Sequence, residues 1–145
     1  MPVVKLIADS GATKAEWCLL KNGRKKTLFT QGISPYFLNT QQIYELIEKE
    51  LKPRLRKEEI DEVYYYGTGC ANPHNARSVK KALSKAFAGS KVEVTHDLMG
   101  AARALCGRDK GVACILGTGA NSCYYNGKKI LKNSPGLGYV LGDEG

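Results

Sequence analysis

The chain has 145 residues, 43% hydrophobic and 25% charged, with a formal net charge of +8 at pH 7. That length holds one ordinary domain, or one small domain and part of another, and the composition builds a packed core rather than a disordered chain. No apolar run approaches the roughly 18 residues of a membrane helix, and the opening MPVVKLIADSG lacks the basic start, long apolar stretch and cleavage site of a secretory signal.

In chain order, residues 3–8 form an apolar run rich in β-branched residues, which reads as a buried strand. After the loop DSGATK, residues 16–20 read as a second strand. Lys21-Asn22-Gly23-Arg24 is a tight hairpin turn of the Asn-Gly kind, and residues 26–31 are a third strand. The opening is an antiparallel meander. Asn39, with Gln42 three residues on, predicts a capping box. Ile43, Leu46, Ile47 and Leu51 follow at helical spacing, and Pro53 closes the segment. Residues 60–66 read as a buried strand running into Gly67-Thr68-Gly69. Asn72-Pro73 opens a helix whose inward face is Ala76, Val79, Leu83 and Phe87. Residues 91–96 are a further strand. Residues 97–106 are a helix with Leu98, Ala101, Ala102 and Leu105 inward and Gly107 as its stop.

The order βββαβαβα requires a parallel portion of the sheet. Residues 1–107 therefore read as one α/β domain with a mixed five-stranded sheet. The pattern then restarts. Residues 111–116 are an apolar strand and GTGANS is a small-residue loop; residues 123–125 are a strand, Asn126-Gly127 a turn, and 128–131 another strand. This weak internal repeat predicts that residues 108–145 are the first strands of a second, truncated domain of related construction.

The loops carry the chemistry. A run of small residues between two strands lets backbone N–H groups converge on one spot, a concavity that suits phosphate oxygens. Gly11 allows close approach, Thr13 adds a hydroxyl and Lys14 a charge, while Asp9 at the strand end can hold Mg²⁺ directly or through water. Gly117, Thr118, Gly119, Ala120 and Asn121 repeat that logic. Neither loop is the GxxxxGK[ST] or GxGxxG pattern; together they read as a clamp of two hairpins on a polyphosphate. Asp97 follows a strand and opens a helix. It suits a helix N-cap, and equally a base that accepts a proton from a hydroxyl attacking a γ-phosphate; the two roles are compatible. Asp143 and Glu144 lie between glycines, as a solvated turn or as hydrogen-bond partners of a polyhydroxylated substrate.

The excess cations are spread over LKNGRKK, LKPRLRK, RSVKKALSK and NGKK, with no interleaved aromatics. They read as a solvated basic surface with one anion site, not as a nucleic-acid groove. The five cysteines (Cys18, Cys70, Cys106, Cys114 and Cys123) form no CxxC, and Cys70 with His74 lacks the second pair that a metal site needs. They read as reduced thiols of a cytoplasmic protein.

In order and spacing, DSGATK, THD, GTGANS and GLGYVLGDEG resemble the N-acetylglucosamine kinase-like and BadF/BadG-type ATPases of the actin-like ATPase superfamily. The resemblance covers nearly the whole chain. It implies two ribonuclease H-like domains with ATP and Mg²⁺ between them, and a small-molecule sugar as substrate. It places Asp9 (metal) and Gly11, Ala12, Thr13 and Lys14 in a first phosphate loop, and Gly117, Thr118 and Gly119 in a second. Asp97 matches the catalytic base, and Asn121, Ser122, Gly136 and Asp143 the sugar-binding positions. The chain departs from the family's mammalian members at Ser34-Pro35-Tyr36, Leu137 and Ser122. The implied activity is an ATP-dependent sugar kinase acting on an amino sugar such as N-acetylglucosamine, inactive as residues 1–145 alone. No nucleic-acid or membrane partner is expected, and homodimerisation stays open. The alternatives are an activator ATPase of the 2-hydroxyacyl-CoA dehydratase type, a non-catalytic sugar or nucleotide sensor, and a nuclease using Asp9 and Asp97.

Overall fold

The computed structural model describes residues 2–116 and 120–134. The chain divides into two compact units, Met1–Asp97 and Leu98–Gly145. In the first, β1 (Lys5–Ser10), β2 (Lys14–Lys21), β3 (Arg24–Gln31), β4 (Glu62–Gly67) and β5 (Lys91–His96) form one sheet in the order β3-β2-β1-β4-β5. The β1–β2 and β2–β3 pairs are antiparallel, whereas β1–β4 and β4–β5 are parallel. The ribonuclease H-like, actin-like ATPase fold read from the sequence is thus present, with the meander on one side and the parallel strands on the other.

Local chemistry sets these elements. The β2–β3 connection is a two-residue turn in which Asn22 (φ 52°) and Gly23 (φ 72°) both lie in the left-handed region. That turn twists with the strands it joins. Helix α1 (Thr40–Leu46) opens on the expected capping box between Asn39 and Gln42. It does not run on as one regular helix. A π-helical turn, Ile47–Leu51, and a 3₁₀ turn containing Pro53, Lys52–Leu55, carry it to Leu55. Proline lacks the N–H that a continuing α-helix needs. Helix α2 (Pro73–Ala86) starts with Pro73 behind the Asn72 cap and buries Asn75, Val79, Ala82, Leu83 and Ala86 along one stripe.

Leu6, Ala8, Trp17, Leu19, Val63 and Tyr65 from the sheet bury against Ile43, Ile47, Leu51, Val79 and Leu83 from the helical layer. The β1 and β4 strands are alternating rather than uniformly buried: Leu6, Ala8 and Ser10 are covered, while Lys5, Ile7 and Asp9 lie on the other face. Trp17 is fully buried, and its indole N–H donates to Thr30 Oγ1 at 2.9 Å.

The second unit holds helix α3 (Asp97–Cys106, opening on the last residue of the first unit) and an antiparallel sheet of β6 (Lys110–Leu116), β7 (Ala120–Asn126) and β8 (Ile130–Asn133). Leu98 and Ala102 pack with Ala113, Cys123 and Tyr125. Leu105, expected inward, is 69% exposed, because the buried stripe of this short helix is only one residue wide per turn. The β7 strand is longer than the expected 123–125 and takes up Asn121 and Ser122 from the loop. The Asn126-Gly127 turn is also looser than the Asn22-Gly23 one: Asn126 N–H donates to Lys129 O, so β8 starts at Ile130.

Trp17→Ala should lower the unfolding free energy by about 3–5 kcal/mol, read from urea denaturation followed by circular dichroism.

Candidate functional site

Parallel strands bring their carboxyl ends to one edge, and loops there supply the chemistry of open α/β sheets. The register puts Ser10, Gly67 and His96 in one row across β1, β4 and β5. Asp9 and Asp97 therefore lie at the same edge, with one strand between them. Two strand spacings amount to about 10 Å, room for a transferring phosphoryl group.

The first loop is tighter than DSGATK suggested. Pairing persists to Ser10 and Ala15, and Lys14 already belongs to β2, opposite Gln31. The turn is Gly11-Ala12-Thr13, closed by Gly11 N–H donating to Lys14 O at 3.0 Å. Among the described residues the N–H groups of Ala12 and Thr13 have no partner, and both residues are exposed. The Lys14 ammonium sits 4.8 Å over the Phe29 ring.

Three residues that the motif reading passed over hold this turn. Ser10 is fully buried. Its hydroxyl donates to Gly11 O at 3.2 Å and accepts from Ile33 N–H at 3.1 Å, and its carbonyl accepts from Thr68 N–H at 2.9 Å. Gly32 N–H donates to Thr13 O at 2.9 Å, and a Cβ at Gly32 would fall 2.5 Å from the Ala12 and Gly11 carbonyl oxygens. The chain after β3 lies directly against the loop, as only glycine permits. The Tyr65 hydroxyl donates to Ile33 O at 3.4 Å; burial pushes this phenol well above its ordinary value, so it stays a donor. Ser10 and Gly32 stand inside the quoted motifs DSGATK and GISPYF, but nothing in the sequence says that those two segments touch.

Burial, then the Asp97 and Glu16 charges, raise the Asp9 carboxyl above its ordinary value. Burial lowers the His96 imidazole against the pull of Asp97, and it raises the Cys70 thiol, beside Asp97, to about 11. Asp97 is the first residue of α3, not the residue before it, and so lies within the first turn. The positive end of a helix dipole favours a carboxylate there. Two acids at one edge, one of them held above its usual range, form a donor set that a divalent cation would relieve. Among the described residues, no three His, Cys, Asp or Glu side chains cluster as a metal site by themselves.

In the second unit, Asn121 and Ser122 are strand residues opposite Ile115 and Cys114. Among the described residues the buried Asn121 Oδ1 has no hydrogen-bond partner. The Ser122 hydroxyl lies 2.9 Å from that of Ser134. Gly117, Thr118, Gly119, Gly136, Leu137, Asp143 and Glu144 lie outside the described residues. Ser34 is buried, its carbonyl accepting from the N–H groups of Phe37 and Leu38, while Tyr36 and Phe37 are 66% and 82% exposed.

Two measurements test this geometry. Ser10→Ala strands the Ile33 N–H and should cost about 1–3 kcal/mol; Gly32→Ala should cost about as much through overlap. Both should speed amide exchange at Ile33. A carboxyl raised in the folded state binds its proton more tightly there than in the unfolded chain. Its contribution is full below 3.8 and is lost as pH rises through the raised value. Asp9→Asn should therefore melt higher than the parent at pH 7 in metal-free buffer, with the gain shrinking as pH falls toward 3.8.

No protein-family model matches the chain, and none of the curated proteins does. Solved structures do. A protein of Porphyromonas gingivalis provisionally named N-acetylglucosamine kinase is 42% identical over 95% of this chain and 50% of its own, with a TM-score of 0.88. A Chromobacterium violaceum protein of the same provisional name is 16% identical over 97% of this chain and 51% of its own, with a TM-score of 0.70. The ethanolamine utilization protein EutJ of Carboxydothermus hydrogenoformans is 14% identical, covering 97% and 55%, with a TM-score of 0.62; these last two show the fold alone. The chain spans about half the length of the structures it matches. It carries the actin-like ATPase fold and, within that fold, resembles the N-acetylglucosamine kinase-like proteins in structure as well as in sequence.

Proposed function

We propose that this chain is part of an ATP-dependent sugar kinase that transfers the γ-phosphate to an amino sugar such as N-acetylglucosamine. The observation that carries this reading is the single edge of the first unit: Asp9, the Gly11–Thr13 turn and Asp97 converge there through the parallel register of β1, β4 and β5. The 42% identity to the P. gingivalis protein supports the sugar-kinase branch of the fold over others. A fold alone hosts many activities.

In this reading the exposed N–H groups of Ala12 and Thr13, the Thr13 hydroxyl and Lys14 bind phosphate oxygens. They are preorganised by Ser10 and Gly32, so little reorganisation is needed when charge develops. Lys14 reaches them by leaving the Phe29 ring, a contact worth about 0.5–1 kcal/mol at an exposed site. Asp97 orients the sugar hydroxyl and accepts its proton as the new oxygen–phosphorus bond forms and the bond from the γ-phosphorus to the ADP oxygen breaks. Asp9 would hold Mg²⁺, which supplies charge neutralisation on the phosphates. Asn121, whose side-chain carbonyl oxygen has no partner among the described residues, accepts from a sugar hydroxyl or amide N–H. Gly117, Thr118 and Gly119 form the second phosphate loop, and Ser122, Gly136 and Asp143 complete the sugar side. Residues 1–107 are the first domain of this enzyme and residues 108–145 the start of the second, although α3 packs with the second compact unit. The five free cysteines suit a cytoplasmic protein.

The test is ATP-dependent phosphate transfer by the full chain to a panel of amino sugars and plain hexoses. Asp97→Asn should lower kcat by about 10²–10⁴ while nucleotide affinity persists. Unchanged turnover would remove Asp97 from the role of base. Binding of ATP with transfer to no sugar would favour the sensor or activator readings.

A further inference from the structure

A basic groove lies at the other end of the meander. An open groove of about 590 Å³ runs between the β2–β3 turn and the segment after Leu55, lined by Lys21, Arg24, Lys25, Lys26 and Glu58 together with Leu19 and Asn22. Two of its cations are fixed. Lys21 Nζ pairs with Glu58 Oε2 at 2.7 Å, and Lys26 Nζ donates to Arg54 O at 2.8 Å. Arg54 is itself held, donating to Phe29 O at 2.6 Å. Arg24 and Lys25 are exposed, and among the described residues their side chains have no ion-pair or hydrogen-bond partner. Among the described lining residues the one carboxylate, Glu58, is paired with Lys21, so those two charges offset and Arg24, Lys25 and Lys26 carry the groove's excess of positive charge.

We infer that this groove is a binding site for a small, multiply phosphorylated anion, separate from the edge that carries Asp9 and Asp97. Its volume falls in the range of small-ligand clefts. The fixed cations cost little to organise, and the Arg24 guanidinium offers the forked donor geometry that phosphate accepts. Among the described residues no aromatic ring lines the groove on which a base could stack, so the ligand is read by charge and not by a ring. The β2 strand separates the two sites: the seven steps from Lys14 to Lys21 span about 23 Å. Occupation of the groove therefore does not compete with phosphate at the Gly11–Thr13 turn. The site does not depend on the kinase reading.

The probe is inorganic tripolyphosphate, titrated into the full chain at physiological ionic strength and followed by amide chemical shifts. The amides of Lys21 and Glu58 should shift. The double variant Arg24→Glu/Lys25→Glu should weaken the affinity read from them at least tenfold, and Lys25→Gln, which keeps the strand pairing, about threefold. Lys80→Glu, on the exposed face of α2, should leave it within twofold. Shifts confined to Gly11–Lys14 would overturn the proposal. So would an equal loss in Lys80→Glu, which would mark a diffuse charge effect and no site.

Discussion

The candidate edge depends on one buried hydroxyl. Ser10 has no solvent exposure, and it joins its own turn, through Gly11 O, to the segment after β3, through Ile33 N–H. Its backbone carbonyl takes the Thr68 N–H from the loop after β4. Three segments far apart in sequence are thus held from one residue. A buried donor left unmade costs more than a made bond gains, so these segments cannot drift independently. Gly32 adds the steric half of the same constraint, since its missing side chain is what lets the β3 exit lie on the loop. The outcome is a turn whose exposed N–H groups are fixed in direction before any ligand arrives.

Charge is distributed along the meander in the same ordered way. The carboxyl edge gathers Asp9, Glu16 and Asp97, and the mutual repulsion of these acids contributes to the raised Asp9 carboxyl. The opposite end of β2 gathers Lys21, Arg24, Lys25 and Lys26. The charge of the first unit is therefore not spread evenly along the meander. An acidic edge with exposed backbone donors and a basic groove differ in the ligand chemistry they suit.

Within the resemblance, the parts of the site differ in how closely the chain determines them. The phosphate side rests on backbone geometry and on residues of the first unit. The acceptor side rests on single side chains, and the chain departs from the mammalian pattern there, at Ser34-Pro35-Tyr36 and Ser122. Ser34 is buried and turns the backbone through its carbonyl, which leaves the adjacent Tyr36 and Phe37 rings in solvent.

Strand and helix order, the Asn39–Gln42 capping box, the Asn72-Pro73 helix start and the Asn22-Gly23 turn were all legible in the sequence, because each is set by contacts within a few residues. The sequence set Asp9 at a strand end and Asp97 at a helix start; that both lie at one edge follows from the register of β1, β4 and β5. Other features were not legible. The extent of strand pairing moved Lys14, Asn121 and Ser122 out of loops, because ladder bonds continue wherever a partner strand offers them. The break of the first helix into π and 3₁₀ turns, the exposure of Leu105, and the Ser10–Gly32–Ile33 tie depend on which distant segments meet. The sequence by itself determined the local elements and the chemistry they carry. Only the tertiary structure decided which residues hold that chemistry in place, because a buried hydroxyl and an absent Cβ acquire meaning only from neighbours some twenty residues away in the chain.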